Sequence, residues 1–423
     1  MNILVIGSGG REHAICAAFK KSRRVGRLFC ANGNAGIAQI AECVPIRPDD
    51  IEALAEFAES HAIDLTFVGG ETPLALGIVN EFKRRGLRII GASKDAARLE
   101  SSKAFAKDFM FRHNIPTAAF ANASSVAEAI DILNSGKFGD ENAPVVVKAD
   151  GLAAGKGVVV AANRAEAIDA VNGMQDIAGA AAAQRIVLEE CLTGREVSLI
   201  MFADGENFAL MPPTRDHKRI GEGDTGPNTG GMGTFTDAAL LSASDLSYIT
   251  ENVIEPTLKG CRDEGFPFSG ILFLGLMMTP AGPRVLEYNV RFGDPETQAI
   301  LVRLETDLVE ICEAIDAGSL GGLYISWKGG SSACVILASA GYPAKPETGD
   351  VISGIESAAE HENISIFHSG TAINFDGEFV TAGGRVLGIT AWAESLNEAL
   401  ERAYRAAGEI SWRGMQFRSD IGK

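Results

Sequence analysis

Glu287, Asn289 and Arg291 stand at alternate positions at the end of an apolar run, Pro283–Val290, that reads as a strand. Successive side chains of a strand point to opposite faces, so these three share one face and Leu286, Tyr288 and Val290 the other. A carboxylate and an amide oxygen side by side are hard donors, suited to Mg²⁺ bridging the phosphates of ATP. Arg291, next in the row, is placed to neutralise charge on a transferring phosphoryl group. A turn, Gly293-Asp294-Pro295-Glu296, follows at once. An E-x-N-x-R pattern also fits a solvated strand face with an ion pair. The rest of the chain gives it weight.

The segment Lys148-Ala149-Asp150-Gly151-Leu152-Ala153-Ala154-Gly155-Lys156-Gly157 links two apolar runs, PVVVK and GVVVA. It is not a Walker A loop, which needs four residues between its first Gly and Gly-Lys, then Ser or Thr, and a helix after it. A strand ending in Lys, followed by a glycine hairpin carrying Lys156, instead sets ammonium groups and backbone donors over a triphosphate. A third polar stretch runs from Asp216-His217-Lys218-Arg219 to Gly230-Gly231-Met232-Gly233 between apolar segments. Long loops of this kind in compact domains are usually functional. Asp216 is suited to an ammonium group and Lys218 to a phosphate or carboxylate. His217 reads as a structural hydrogen-bonder.

The first glycine cluster, Gly7-Ser8-Gly9-Gly10-Arg11-Glu12, follows a strand and opens a helix. It fails as a dinucleotide fingerprint. Glu12 stands where the third glycine belongs, and no acidic residue ends the second strand, which reads Phe29-Cys30-Ala31-Asn32. What remains is a helix N-terminus with Arg11 beside it, a setting for a phosphate monoester.

Composition narrows the partners. Lys and Arg number 38 against 55 Asp and Glu, a formal net charge of −17. That field repels nucleic acid and anionic membranes, so small molecules are the expected partners, with neither nucleic acid nor membrane, and a monomer is compatible with the sequence. Seven scattered cysteines without a C-x-x-C pair fit a reducing, cytoplasmic setting. No apolar run reaches the ~18 residues of a membrane span, and the start, MNILVIGSGGRE, lacks the pattern of a signal peptide.

Strands alternating with helices over the first hundred residues predict a parallel sheet in an α/β domain, with loops at the carboxyl ends of its strands. The expected division is 1–101, 102–323 with a small lid at about 120–190, and 324–423. ILFLGLMM (Ile271–Met278) reads as a buried strand, and Leu396, Leu400, Ala403 and Ala407 fall on one helical stripe.

Lys103 in SSKAF, the loop KADGLAAGKG, VLEECLTGREVS, RDHKRIGEGDTGPNTGGMG and LEYNVRFGDPETQ, with GSGGREHA before them and GGRVL after, occur in an order that resembles the phosphoribosylamine–glycine ligase family of purine synthesis. These are ATP-grasp enzymes. The resemblance covers essentially the whole chain. It implies an ATP-grasp fold with an N-terminal parallel α/β domain and a small C-terminal α/β domain. It implies ligation of glycine to 5-phosphoribosylamine at the expense of ATP, through a glycyl phosphate. By the same resemblance, Lys103 and Lys148, with Gly151, Gly155, Lys156 and Gly157 of the hairpin, would contact ATP. Glu189, Glu190 and Leu192 would form the hinge beside the purine, and Glu196 would hold the ribose. Glu287 and Asn289 would ligate Mg²⁺ or Mn²⁺. Arg291, Asp216 and Lys218 would line the acyl-transfer site. Gly9, Gly10, Arg11, Asn34 and Glu71 would receive the phosphoribosylamine. Two departures stand out: Gly70 replaces the family's usual proline in VGPE, and Ile271–Met278 carries no second metal carboxylate.

Overall fold

The computed structural model describes residues 1–152, 157–179 and 184–423 of the 423-residue chain. The first strands are β1 (Asn2–Gly7), β2 (Arg27–Asn32), β3 (Glu42–Val44), β4 (Leu65–Val68) and β5 (Ile89–Ile90). They form one sheet in the order β3-β2-β1-β4-β5, and every pairing in it is parallel. Ile3 to Ile6 are fully buried, as expected for a strand covered on both faces. At the end of β1 the chain turns into α1 (Gly10–Lys20).

A second sheet, ordered β6-β9-β7-β8, is made by β6 (Phe120–Ala123), β7 (Val145–Ala149), β8 (Val158–Ala161) and β9 (Ile186–Glu190). β7 and β8 pair antiparallel from Val145↔Ala161 to Lys148↔Val158, the hairpin expected around the glycine loop. Two helices, Val126–Asn134 and Arg164–Ala178, pack on this sheet, and Val147, Ala167, Val171 and Leu188 belong to its own core.

The largest sheet begins with β10 (Arg195–Asp204), against whose far end β11 (Phe208–Leu210) pairs. It continues through β12 (Thr214–Asp216), which leads into a small hairpin of β13 (Arg219–Gly221) and β14 (Thr225–Asn228), and then β15 (Gly233–Thr236), β16 (Ser269–Thr279) and β17 (Gly282–Asn289). From the last third of the chain it takes β18 (Ser331–Ala338) and β19 (Ile364–His368). The hairpin β20 (Thr371–Ile373) and β21 (Phe379–Thr381) lies off the sheet, and β22 (Arg385–Ala393) returns to it. The order is β17-β16-β10-β12-β15-β18-β22-β19. The β15–β18 ladder, Gly233↔Val335 to Thr236↔Ser332, therefore runs one sheet through the middle and the end of the chain. The amphipathic helix Leu396–Ala407 buries Ala399, Ala403, Ala406 and Ala407 against β18 and β22. All seven cysteines are free. Among the described residues no helix is long and apolar enough to cross a membrane.

Candidate active site

β17 carries the centre of the site. Its register with β16 slips by one residue, pairing Glu287 with Gly275 but Val285 with Leu276, so Leu286 bulges out. The bulge turns the Leu286 carbonyl to accept from Lys148 Nζ (3.3 Å). Beyond it Tyr288 and Val290 are buried, while Glu287 and Asn289 share the open face, as alternation requires. A Cβ at Gly275 would stand 3.2 Å from Glu287 Cγ. The position opposite Glu287 thus yields room to its side chain and supplies no second carboxylate.

Burial alone would raise the Glu287 carboxyl. Lys218, Lys148, Lys103 and Arg291 around it hold it below its ordinary range, so it is ionised. Glu287 has neither hydrogen bond nor ion pair among the described residues. The four cations are steadied by other groups. Lys103 donates to Gly151 O (3.1 Å). Lys148 lies 2.7 Å from Glu189 Oε1, whose other oxygen is 2.8 Å from Lys107, and Glu189 and Lys107 are 2% exposed. Lys218 lies 3.3 Å from Glu196. Arg291 Nη2 reaches Glu100 (2.9 Å) and Asn289 Oδ1 (3.2 Å), and its Nε lies 3.3 Å from Glu71.

A divalent ion fits this donor set in part. Glu287 and Asn289 offer two hard oxygens on one face, and no group of three His, Cys, Asp or Glu side chains suited to a metal occurs among the described residues. The remaining ligands of such an ion would be phosphate oxygens and water, the usual habit of Mg²⁺ at nucleotide sites.

Beside this end lies a pair of carboxyl groups, Glu296 buried and Asp216 half-buried. Asp216, at the end of β12, is raised well above its ordinary value by burial and by Glu296, against the pull of Lys218 and Arg385. Glu296 is raised chiefly by burial. Asp216 Oδ1 has no hydrogen-bond partner among the described residues. A bare acceptor on one of two coupled, raised carboxyls is a place for a cation or a proton. Lys218 is shifted the other way: burial would lower it, but Glu196, Glu287 and Asp216 raise it.

The α1 end is different. Gly9 N donates to Glu12 Oε2 (2.7 Å), the half of a capping box that a glycine N-cap can make. Arg11 pairs with Glu12 (2.6 Å) and donates to Phe292 O (3.1 Å). Asp294 is held below its ordinary value, against its burial, by Arg385, Arg11 and a bond from Gln298 (2.8 Å). Glu12 itself lies against Gly7 and Gly69: a Cβ on either would come within 2.4 Å of it. Its side chain therefore fills the turn that a dinucleotide would need. Asn34 donates to Ser8 O and His368 O and accepts from Gly36 N and Ile37 N, so all its groups serve the backbone. Glu71, which burial would raise, is held ionised by Arg291 and Arg11 and so joins the two ends. A Cβ at Gly70 would stand 3.3 Å from Arg11 Nη2.

Of the expected residues, Glu287, Asn289, Arg291, Lys103, Lys148, Lys218 and Asp216 come together in one charged cluster, with Glu196 at its edge. Gly151 joins it through Lys103, and Gly157 closes the hairpin by accepting from Ala149 N (2.8 Å). Glu190 and Leu192 lie more open, at the end of β9 and just beyond it. Gly155 and Lys156 lie outside the described residues. Sequence reasoning missed Lys107, Glu100, Glu296 and Arg385. Lys107 had a signal, one helical turn from Lys103 on the same face. Glu296 and Arg385 stood inside motifs already marked, RFGDPETQ and GGRVL.

Three family models account for most of the chain: the phosphoribosylglycinamide synthetase N domain matches residues 1–100, its ATP-grasp (A) domain 101–297 and its C domain 332–423. The phosphoribosylamine–glycine ligase of Vibrio parahaemolyticus is 48% identical, over 100% of this chain and 98% of its own length. The chain belongs to the phosphoribosylglycinamide synthetase family. The enzyme of the same name from Brucella melitensis is 44% identical, over 100% of this chain and 97% of its own. Among solved structures, the Thermotoga maritima phosphoribosylamine–glycine ligase superposes with a TM-score of 0.85 at 33% identity, covering both chains fully. The biotin carboxylase domain of the Hydrogenobacter thermophilus 2-oxoglutarate carboxylase shares the fold, with a TM-score of 0.73 at 16% identity over 98% of this chain and 91% of its own. The ATP-grasp fold and the α/β class expected from sequence are thus established.

Proposed function

We propose that this chain joins glycine to 5-phosphoribosylamine with ATP, giving glycinamide ribonucleotide, ADP and phosphate. The observation that carries the reading is Glu287, ionised and ringed by four cations, beside Asp216, whose Oδ1 has no hydrogen-bond partner among the described residues, and Glu296. The first suits a triphosphate and the second an amino acid's ammonium group.

Lys103 and Lys148 hold the phosphates. Glu190 and Leu192 border the purine, Glu189 fixes Lys148 from behind, and Glu196 faces the ribose. Mg²⁺ or Mn²⁺ held by Glu287 and Asn289 would supply charge neutralisation across the phosphates. Asp216 and Glu296 orient the glycine ammonium, which sets the glycine carboxylate beside Lys218 and Arg291. A carboxylate oxygen attacks the γ-phosphorus, the bond to the ADP oxygen breaks, and a glycyl phosphate results. Arg291 and Lys218 meet the charge that develops. Glu71, between Arg11 and Arg291, then presents the amine of phosphoribosylamine to the acyl carbon. The N–C bond forms, the acyl C–O bond to phosphate breaks, and the amine's proton leaves with the phosphate. The substrate's phosphate lies toward Gly9, Gly10 and Arg11, with Asn34 bracing that loop. In this reading residues 1–101 receive the phosphoribosylamine, 102–323 the ATP and glycine, and 324–423 back the Asp216 loop.

ADP release with each substrate withheld in turn tests the proposal. Turnover should need glycine and phosphoribosylamine together. Equal turnover when another small carboxylate replaces glycine would refute it.

A further inference from the structure

The segment Arg418–Ile421, near the end of the chain, is built into the loop that carries Asp216 and Lys218. The Arg418 side chain is 2% exposed. Its Nε and Nη2 donate to the two carboxylate oxygens of Asp420 (both 2.7 Å). Its Nη1 donates to Asp224 Oδ1 (2.6 Å) and Arg219 O (3.1 Å). Gly223 N donates to Asp420 Oδ2 (2.8 Å), and Ser419 Oγ donates to Glu222 Oε1 (2.5 Å). Three consecutive tail residues thus grip Glu222, Gly223 and Asp224, the tip of the β13–β14 hairpin. Ile421 packs under Gly233, where a Cβ would stand 2.8 Å from its Cδ1. The tail is itself tied, since Tyr404 OH donates to Arg418 O (2.9 Å) and accepts from Ile421 N (3.0 Å).

A two-stranded hairpin this short is not stable by its own bonds, and most of it is exposed. Its base is the Asp216 loop. Thr229 N and Oγ1 donate to Lys218 O (2.7 and 2.8 Å), and Met232 N donates to His217 O (2.8 Å). His217, between Asp216 and Lys218 in the chain, is buried and held neutral by its burial and by Arg418 and Arg215, with a pKa lowered to about 4. Its ring nitrogens have no hydrogen-bond partner among the described residues, so it is not the structural hydrogen-bonder expected from sequence. Whatever moves the tip moves the base.

We infer that Arg418 is a positioning residue for acyl transfer: through Asp224 and Asp420 it fixes the hairpin, and the hairpin fixes Asp216 and Lys218 beside Glu296 and Glu287. The inference rests on Asp216 receiving the glycine ammonium. Without the guanidinium, Asp224 and Asp420 face each other with like charge, and the tip is driven off the tail. A purely structural tie would lower the melting temperature and leave the kinetic constants alone.

The test measures KM for glycine and for ATP, with thermal unfolding, in full-length Arg418→Met, Arg418→Lys, Asp224→Asn and Asp216→Asn. Asp224→Asn removes only the loop-side charge and serves if Arg418→Met does not fold. Arg418→Met should raise the KM for glycine about tenfold and leave that for ATP within about twofold. Arg418→Lys should recover part of the loss, and Asp224→Asn should act in the same direction more weakly. An unchanged KM for glycine in both Arg418→Met and Asp224→Asn, while Asp216→Asn raises it, overturns the positioning role and leaves the glycine site standing. A uniform rise in both KM values overturns it too. An Asp216→Asn variant with unaltered KM for glycine removes the glycine-site reading and this inference with it.

Discussion

At the β17 end, Glu287 is ringed by Lys103, Lys148, Lys218 and Arg291 and pairs with none of the four. At the α1 end, the N–H of Gly9 and the guanidinium of Arg11 are already matched to Glu12, and Asp294 lies close by. Both places look basic in sequence. At β17 the cations are steadied by other carboxylates, Lys148 by Glu189 and Arg291 by Glu100, which leaves the Glu287 carboxylate without a partner and open to a ligand. Charges already matched hold the domain together, and a ligand must compete for them. The contrast predicts that substitutions at β17 cost catalysis, while those at α1 cost stability as much as binding.

Glu287→Ala should show the largest effect, a fall in kcat of about 10³-fold, or roughly 4 kcal/mol. Its melting temperature should fall only modestly, because no hydrogen bond or ion pair is lost and only the attraction to the surrounding cations goes. Residual activity above a few per cent at saturating Mg²⁺ would break the contrast. Lys107→Met should do the reverse. It leaves Glu189 buried with one cation instead of two and should cost about 3 kcal/mol of stability in denaturant unfolding.

Arg11→Ala sharpens the comparison from the other side. Its charged bonds are typically worth about 1.5–3 kcal/mol each, and the loss should divide between a lower melting temperature and a KM for phosphoribosylamine raised about tenfold. The KM values for ATP and glycine should hold. A lower melting temperature with no kinetic change would make Arg11 a strut between α1 and Phe292 only.

How much of this was legible follows from distance along the chain. Period-two alternation put Glu287 and Asn289 on one face, and the strand–glycine–strand pattern placed Lys148 at a hairpin; both are local signals. Arg11 meets Phe292 across 281 residues, and Arg385 meets Asp294 across 91. Spacing in a sequence carries no trace of such contacts. Glu12 shows the boundary well. Its identity excluded a dinucleotide, but that its side chain lies against Gly7 and Gly69 needed the packing of β1 against β4.

A separate effect concerns pH. His13 Nδ1 accepts from His368 N (2.9 Å) where α1 meets β19, and burial lowers the two imidazoles to about 3 and about 4. Both stay neutral in the fold, whereas the unfolded chain takes up protons below about 6.5. Stability should be complete above that pH and fall as pH drops toward 4, by up to about 1.4 kcal/mol per pH unit for each group. His13→Gln should flatten the slope in urea unfolding at pH 7, 6 and 5. An unchanged slope would mean that His13 is accessible in the fold.

The central claim, that the β17 end activates glycine before the amine arrives, is tested most directly by positional isotope exchange. ATP labelled with ¹⁸O at the β–γ bridge is incubated with the protein, Mg²⁺ and glycine, without phosphoribosylamine. Reversible glycyl phosphate formation should scramble the label into the β-phosphate, with glycine required and Glu287→Ala silent. Scrambling without glycine, or undiminished in Glu287→Ala, would contradict the account.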